Sequence, residues 1–288
     1  MSVDDAGPLG ARVRGRGTLG VIATGAAASG PVLHGLRAAA REQEYALSVF
    51  SVSGHSGPAV LAAVAGLRLQ GVAGIVMLDG HLLAELAPVT GIPLVPAAST
   101  DQYAGARRAT EHLLELGHPT VWHLGGPEDG PMARARERGW RETLERHGAE
   151  VPPVVRGDWS ARSGYRAGQS LAVESGVGAV FSANDHMALG LLAAFAEAGM
   201  RVPRDAHVVG FDDVPEAAYF APPLTTVRQD FVAAGRQTLA ALAARIDGGP
   251  APARGAAEVE LVVRESSRCL RGAWDTPASG PGSPGRPS

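Results

Sequence analysis

The alternation of short apolar runs with longer amphipathic stretches is the feature that most constrains the fold of this 288-residue chain. The apolar runs cover 18–24, 45–52, 74–78, 92–97, 120–125, 154–157, 179–183 and 206–211. The stretches between them predict helices over 31–44, 57–69, 101–116, 132–148, 161–174, 185–199 and 229–247. Because strand followed by helix, repeated many times, builds a parallel sheet covered on both faces, we expect an α/β protein.

Two architectures use this alternation. One is a pair of doubly wound domains, and the other is a closed eight-stranded barrel. The number of units over this length favours the two doubly wound domains. In such open sheets ligands bind outside the carboxyl ends of the strands, so the residues just after each apolar run are the candidates for a site.

Composition limits the classes of function. The formal net charge of -3 argues against a chain dominated by nucleic-acid contacts. The sequence has no lysine and therefore no lysine-containing phosphate loop, and the nine histidines show no metal-ligand spacing. We find no nucleophile–base pair, so an α/β enzyme is the least favoured hypothesis. The single cysteine, Cys269, excludes an internal disulfide, and no apolar run could span a bilayer, so we expect a cytoplasmic protein without membrane contact.

Polar residues follow several of the predicted strands. Asn184 follows 179–183, Asp212 and Asp213 follow 206–211, and Trp159 follows 154–157. Carboxylates and amides can bind vicinal hydroxyls, and an aromatic ring offers a flat apolar face to a sugar. The structural alternatives are equally specific: Asn184, Asp185 or Asp101 could cap the helix that follows it, and Trp159 could belong to the core.

Five ordered segments resemble the LacI-type (lactose/galactose repressor) transcriptional regulators: "RRATEHLLELGHPTVWHLGGP" (107–127), "ARARERGW" (133–140), "GDWSARSGYRAG" (157–168), "SANDHMALGLLAAFAEAGMRVPRD" (182–205) and "VVGFDDVPEAAYFAPPLTTVRQDF" (208–231). The resemblance implies a type I periplasmic-binding-protein-like fold, in which two Rossmann-like subdomains are joined by three crossovers. It implies an N-subdomain of 18–117 plus 231–255 and a C-subdomain of 118–230 plus 256–271. Residues 1–17 are then a disordered segment or hinge remnant, and 272–288 a disordered tail.

The resemblance also implies the ligand contacts. Arg136 would clamp hydroxyl groups, Trp159 would stack on a ring, and Asn184 and Asp212 would bond hydroxyls. Gln229 and Phe231 would lie at a crossover beside the ligand. Asp101 is a further candidate, although the residues before "EHLLELGH" (111–118) align less well. We expect Asp213 to bond the backbone of its loop.

The function implied is the effector-sensing core of a regulator, which binds a sugar or sugar derivative between the subdomains, forms a homodimer, and uses neither cofactor nor metal. The family's N-terminal helix-turn-helix has no counterpart before Gly20. Contact with operator DNA is therefore expected only if such a domain lies upstream. The alternative is a sugar-binding protein of the same fold that serves transport or sensing without binding DNA.

Overall fold

A computed structural model describes residues 16–24, 31–52, 57–78, 86, 88, 90–98, 100–250 and 258–268. Within them the chain builds two sheets. The strands are β1 (Gly17–Thr24), β2 (Tyr45–Val52), β3 (Ile75–Met77), β4 (Leu94–Pro96), β5 (Trp122–Gly125), β6 (Val155–Arg156), β7 (Ala179–Ser182), β8 (His207–Asp212), β9 (Thr225–Gln229) and β10 (Val259–Val262). The α-helices are α1 (Pro31–Glu42), α2 (Gly57–Leu69), α3 (Gln102–Glu115), α4 (Pro131–Arg146), α5 (Ala161–Ala172), α6 (Asp185–Glu197) and α7 (Phe231–Ile246).

The smaller sheet has the order β2-β1-β3-β4, and its strand pairs are all parallel. Its apolar side chains alternate between two faces, as the period of two in a strand requires. Val21 packs with α1 and α7 on one face, whereas Ile22 packs with α2 on the other. Strands β1 and β3 are therefore buried on both faces, which explains their mostly apolar sequence, whereas the edge strand β2 is only partly buried.

The larger sheet has the order β10-β9-β8-β7-β5-β6, and only β10 runs antiparallel to its neighbour. Helices α5 and α6 cover one face, where Val180 and Val208 lie. Helices α3 and α4 cover the other, where Phe181 packs with Trp140. The predicted doubly wound α/β architecture with two subdomains is confirmed, and the barrel is excluded because the two sheets are separate.

The chain passes between the sheets three times: between β4 and α3, between β9 and α7, and between α7 and β10. Helix α3 shows that the first crossover comes earlier than the predicted boundary at 117. Its buried residues Ala106, Ala109 and Leu113 lie in the core beneath the larger sheet. The prediction placed the whole helix in the N-subdomain, and its packing puts it in the C-subdomain, so we place the boundary near 98–101.

The carboxyl-terminal region of the C-subdomain contains two strands that were not predicted. Strand β9 ends at Gln229, a residue that the sequence pattern placed in a helix, and α7 begins at Phe231 after its cap Asp230. Strand β10 runs beside it, with Val259 opposite Gln229. The predicted disordered segment 1–17 is wrong at its end, because Gly17 begins β1 and the backbone N–H of Arg16 donates to the carbonyl of Glu44 at 3.0 Å. Residues 1–15 and the predicted tail 272–288 lie outside the described residues.

Candidate functional site

The predicted site residues converge at the carboxyl ends of the larger sheet, next to two of the crossovers. Asp212 is the last residue of β8, Gln229 is the last residue of β9, and Asn184 follows β7. Arg136 reaches the same place from the middle of α4. Neighbouring parallel strands end at the same edge of a sheet, so this convergence follows from the topology.

Arg136 lies at the centre of the site with 4% of its side chain exposed. Its Nε donates to Gln102 Oε1 at 2.7 Å, one terminal nitrogen donates to the carbonyl of Ala183, and the other contacts Asp212 Oδ1 at 3.4 Å. Its Cζ lies 3.9 Å from the centroid of the Phe211 ring, an arrangement that favours a cation over an aromatic face. A guanidinium has five N–H groups, so two remain for a ligand after these three bonds.

Desolvation lowers the pKa of Arg136, and the negative charges of Asp212 and Asp185 oppose that shift. An arginine nevertheless stays charged in proteins. The site therefore contains a buried positive charge whose nearest counter-charge is Asp212.

Asp212 has two oxygens with different surroundings. Oδ1 accepts from Gln229 Nε2 at 2.5 Å and lies near Arg136, whereas Oδ2 has no hydrogen-bond partner within the part of the chain that the structure describes. The residue has φ +113°, a left-handed conformation that side chains rarely adopt. Burial raises the pKa of Asp212, and Arg136 opposes the shift. Oδ2 is thus an available acceptor at the cleft edge of the sheet.

Asp185 was predicted only as a possible helix cap, and in the structure it also holds the turn after β8. It is fully buried and accepts from Thr226 Oγ1 at 2.6 Å and from the backbone N–H of Val214 at 2.9 Å. These bonds hold the turn that carries Asp212. Burial and the charge of Asp212 raise the pKa of Asp185 to about 8, so this carboxyl group is largely protonated at neutral pH.

Asp213 differs from its prediction. Its two oxygens accept from Arg228 Nε at 2.6 Å and from Arg264 at 2.7 Å instead of bonding the loop backbone. The φ of +52° turns its side chain away from that of Asp212. The neighbouring aspartates therefore do different things: one faces the site and the other ties β9 to the segment after β10.

Asn184 and Asp101 both take the capping alternative. Asn184 Oδ1 accepts from the backbone of Met187 at 2.9 Å, and Asp101 Oδ1 accepts from that of Ala104 at 2.8 Å. Asn184 also donates its amide to the carbonyl of Trp159 at 3.0 Å. One N–H of the Asn184 amide thus holds the loop that carries Trp159, and the second has no partner among the described residues.

Trp159 lies at the rim of the site with φ +72°. Its six-membered ring packs so closely on Gly126 that a Cβ added there would be 2.3 Å from the ring. The Cζ of Arg136 is 5.5 Å from the Trp159 centroid. The ring is therefore partly in the core, as one alternative held, and also forms the side of the cleft next to the charged pair.

Phe231 begins α7 and is partly exposed, one residue beyond the cap. Its backbone packs against α1, where a Cβ on Gly35 would lie 2.0 Å from the carbonyl oxygen of Phe231. The position is fixed on the smaller subdomain, immediately after the crossover that carries Gln229.

Gln102 and Thr100 belong to the site although the motif comparison did not assign them. Gln102 is 8% exposed and donates to Thr100 Oγ1 at 2.6 Å and to Gln229 Oε1 at 2.7 Å. Thr100 also donates to Gln229 Oε1. Their place directly after the run 92–97 was the available signal, because the end of that strand faces the same edge.

No helix among the described residues is long and apolar enough to cross a bilayer, and no group of three potential metal ligands occurs there.

The family comparison matches residues 110–267 to the periplasmic binding protein-like domain. The Escherichia coli lactose operon repressor is 34% identical over 223 residues, which are 72% of this chain and 61% of the repressor. The Thermobifida fusca regulator CelR is 34% identical over 217 residues, 68% of this chain and 64% of CelR. The chain thus spans less than two thirds of the length of these relatives.

Solved structures agree with this match. A lac repressor dimer bound to operator and to the anti-inducer ONPF has a TM-score of 0.77 at 30% identity, covering 86% of this chain and 93% of that one. A CelR–cellobiose complex has a TM-score of 0.77 at 30% identity, covering 86% and 84%. The chain belongs to the periplasmic binding protein-like family, in the form that LacI-type regulators have as their effector-binding domain.

Proposed function

We propose that this chain senses a small sugar-like effector between its two subdomains and thereby controls the binding of a LacI-type regulator to operator DNA. The observation that carries the proposal is the ion pair between buried Arg136 of α4 and Asp212 at the end of β8. It sets a guanidinium fork with N–H groups left for a ligand beside a carboxylate oxygen that has no hydrogen-bond partner among the described residues. Adjacent hydroxyls present both an acceptor and a donor, which such a pair satisfies together.

Trp159 supports a sugar over a more polar effector. Its ring forms an apolar wall next to the Arg136 fork. A sugar presents C–H groups on one face and hydroxyls at its edge, which suits an aromatic wall beside paired polar groups. Phe231 would close the site from the smaller subdomain. Asn184 would hold Trp159 and donate its second N–H to a ligand hydroxyl, and Asp101 would cap α3.

The regulatory part of the proposal follows from family membership. A related repressor dimer has been seen on its operator, and the related CelR binds cellobiose. Closure of the cleft on a ligand would change how the smaller subdomains of a dimer face each other, and so the spacing of DNA-reading domains attached to them. We assign the protein to the cytoplasm, with no enzymatic activity.

An apolar surface supports the homodimer. Leu189 on α6 is 41% exposed and Tyr219 is 86% exposed. A groove of about 310 Å³ nearby is lined mainly by apolar residues, including Leu192, Met200 and Pro222. Exposed apolar surface of this kind marks association sites. Sedimentation should give a dimer mass that Leu189→Glu reduces to the monomer mass.

Calorimetric titration with a defined panel tests the sensing function: cellobiose, lactose, galactose, glucose, ribose and adenosine. We expect one sugar to bind and Asp212→Ala to weaken that binding at least tenfold, because the Arg136 fork loses its counter-charge. Asp205→Ala is the matched control, since Asp205 pairs only with Arg201 in an exposed i,i+4 contact at the opposite end of the sheet. Absence of binding across the panel, or equal effects of the two variants, would contradict the proposal.

A further inference from the structure

Four side chains form a closed ring of hydrogen bonds across the site and both nearby crossovers. Arg136 donates to Gln102, Gln102 donates to Gln229, Gln229 donates to Asp212, and Arg136 contacts Asp212 to close the ring. All four members lie in the C-subdomain. Gln102 is the first residue of α3, directly after the first crossover, and Gln229 is the last residue of β9, directly before the second.

The ring has a fixed direction. Arg136 can only donate, and an ionised Asp212 can only accept. The amide of Gln102 must therefore turn its oxygen to Arg136 and its NH₂ to Gln229, whose own NH₂ then faces Asp212. Reversing either amide would place two donors or two acceptors against each other, which leaves a buried polar group unpaired.

Thr100 strengthens this orientation. It accepts from Gln102 Nε2 at 2.6 Å and donates to Gln229 Oε1, and it is 4% exposed. Thr100 lies in the first crossover and Gln102 follows it at the start of α3, whereas Gln229 lies directly before the second crossover. The two crossovers are thus bonded to each other through side chains, at a point that also touches the charged pair.

We propose that Gln102 is a positioning residue that sets the Arg136 fork for the ligand and links its orientation, through Gln229, to the two crossovers. A ligand that forms hydrogen bonds with Arg136 or Asp212 changes the hydrogen bonding of the ring, and the ring also connects the two crossovers. Gln102 therefore gives the cleft a direct physical connection to the hinge between the subdomains. The ligand side of this inference rests on the proposed function, while the ring itself can be tested on the protein alone.

The first test uses the ligand-free protein and ¹⁵N NMR. The Nε–H of Arg136 is buried in its bond to Gln102, so its exchange with water should be slow. Gln102→Ala should speed this exchange at least tenfold, and Gln169→Ala should leave it unchanged, because Gln169 is exposed on α5. Unchanged exchange in Gln102→Ala would overturn the proposal.

Gln102→Glu separates the two bonds of Gln102 and guards against misfolding of the alanine variant. A glutamate keeps an acceptor for Arg136 but has no donor for Gln229. We expect slow exchange at Arg136 Nε to persist and the side-chain amide signals of Gln229 to shift and exchange faster. If both sites change alike or neither changes, Gln102 does not act as the directional link.

The second test needs a ligand from the sugar panel. Gln102→Ala and Gln229→Ala should each weaken its binding about tenfold. The double variant should bind the ligand as tightly as the single variant with the lower affinity, because either substitution alone already breaks the ring. Additive losses would overturn the link. If no panel member binds but the NMR results hold, the proposed effector class fails while the ring stands.

Discussion

Strand β8 has an ionisable side chain at each end, and the two side chains have opposite kinds of partner. At the carboxyl end, Asp212 faces the opposite charge of Arg136. At the amino end, His207 faces a group of its own kind: its Nδ1 lies 2.5 Å from Nε2 of His118. Burial lowers the pKa of both histidines, that of His207 to about 4, so the pair is neutral at physiological pH.

The comparison shows which end of β8 has polar groups left to bind a ligand. The histidine pair uses its facing nitrogens on one another and has no charge to offer at neutral pH. The Arg136–Asp212 pair brings opposite charges together, and within the described residues it leaves Asp212 Oδ2 and two N–H groups of Arg136 without a hydrogen-bond partner. At the carboxyl end of β8 the cost of burial is offset by an opposite charge, and at the amino end it is met by neutralisation.

Removing the positive charge of Arg136 should have the largest effect on the difference between the two ends of β8. Arg136→Ala should lower the free energy of unfolding by about 3–5 kcal/mol, because it leaves a buried carboxylate without its partner. Chemical denaturation measures the change. Arg141→Ala is the matched control, since Arg141 is 43% exposed and pairs with Glu137 on the same helix, and it should change stability by less than about 1 kcal/mol. A loss that small for Arg136→Ala would mean that the charged pair is not required.

Neutralising Asp212, the other partner of the ion pair, tests the charged end of β8 in a second way. Asp212→Asn keeps the size of the side chain and suits the left-handed backbone. The variant should lower the pKa of Asp185, because the charge of Asp212 is one of the causes that raise it. The carboxyl ¹³C signal of Asp185 followed against pH measures this. A pKa that stays at about 8 would show that burial alone sets it.

Lowering the pH should reduce the stability of the protein through the His118–His207 pair at the amino end of β8. A histidine whose folded pKa lies below its unfolded value of 6.5 stabilises the fold above that pH and loses the contribution as pH falls toward the folded pKa. Between pH 6.5 and about 4 we therefore expect the pair to cost the protein about 1–2 kcal/mol of stability, reduced from the full shift because both rings are half-exposed. His207→Gln should flatten this part of the pH profile relative to the unmodified protein. A pH profile unchanged in His207→Gln would contradict this account.

The smallest expected effect concerns the wall of the site. Gly126→Ala would place a methyl group against Trp159 and push the ring from its position. We expect the affinity for a bound sugar to fall about five- to tenfold, with little change in stability, because the ring is partly exposed and can move. Gly57→Ala, whose added Cβ meets nothing within 4 Å, is the control. Equal affinities would show that Trp159 does not contact the ligand.

The sequence predicts the sheet architecture well, because buried parallel strands are apolar along their whole length and helices repeat at 3.6 residues. It fails at β9, where "TTVRQ" mixes polar and apolar residues: 225–228 were assigned no element, and Gln229 was placed at the start of a helix. The first crossover was misplaced for a related reason: the small residues Ala106 and Ala109 do not indicate which sheet they pack against.

The candidate site was predicted from motifs and strand ends, but its internal bonding was not. The place of Gln102 after the run 92–97 makes it a candidate, but only the tertiary fold shows that it bonds Arg136. Asp185 reads as a helix-start residue, and only burial beneath the Asp212 turn reveals its raised pKa. Which carboxylate pairs with which arginine also depends on backbone angles, as the positive φ values of Asp212 and Asp213 show.

The central claim is that the Arg136–Asp212 pair binds a sugar-like effector, and one calorimetric experiment tests it most directly. The unmodified protein, Asp212→Ala and Asp205→Ala are titrated with the same panel sugar. We predict that the unmodified protein and Asp205→Ala bind with equal affinity, whereas Asp212→Ala binds at least tenfold more weakly. Equal affinity in all three proteins would contradict the claim.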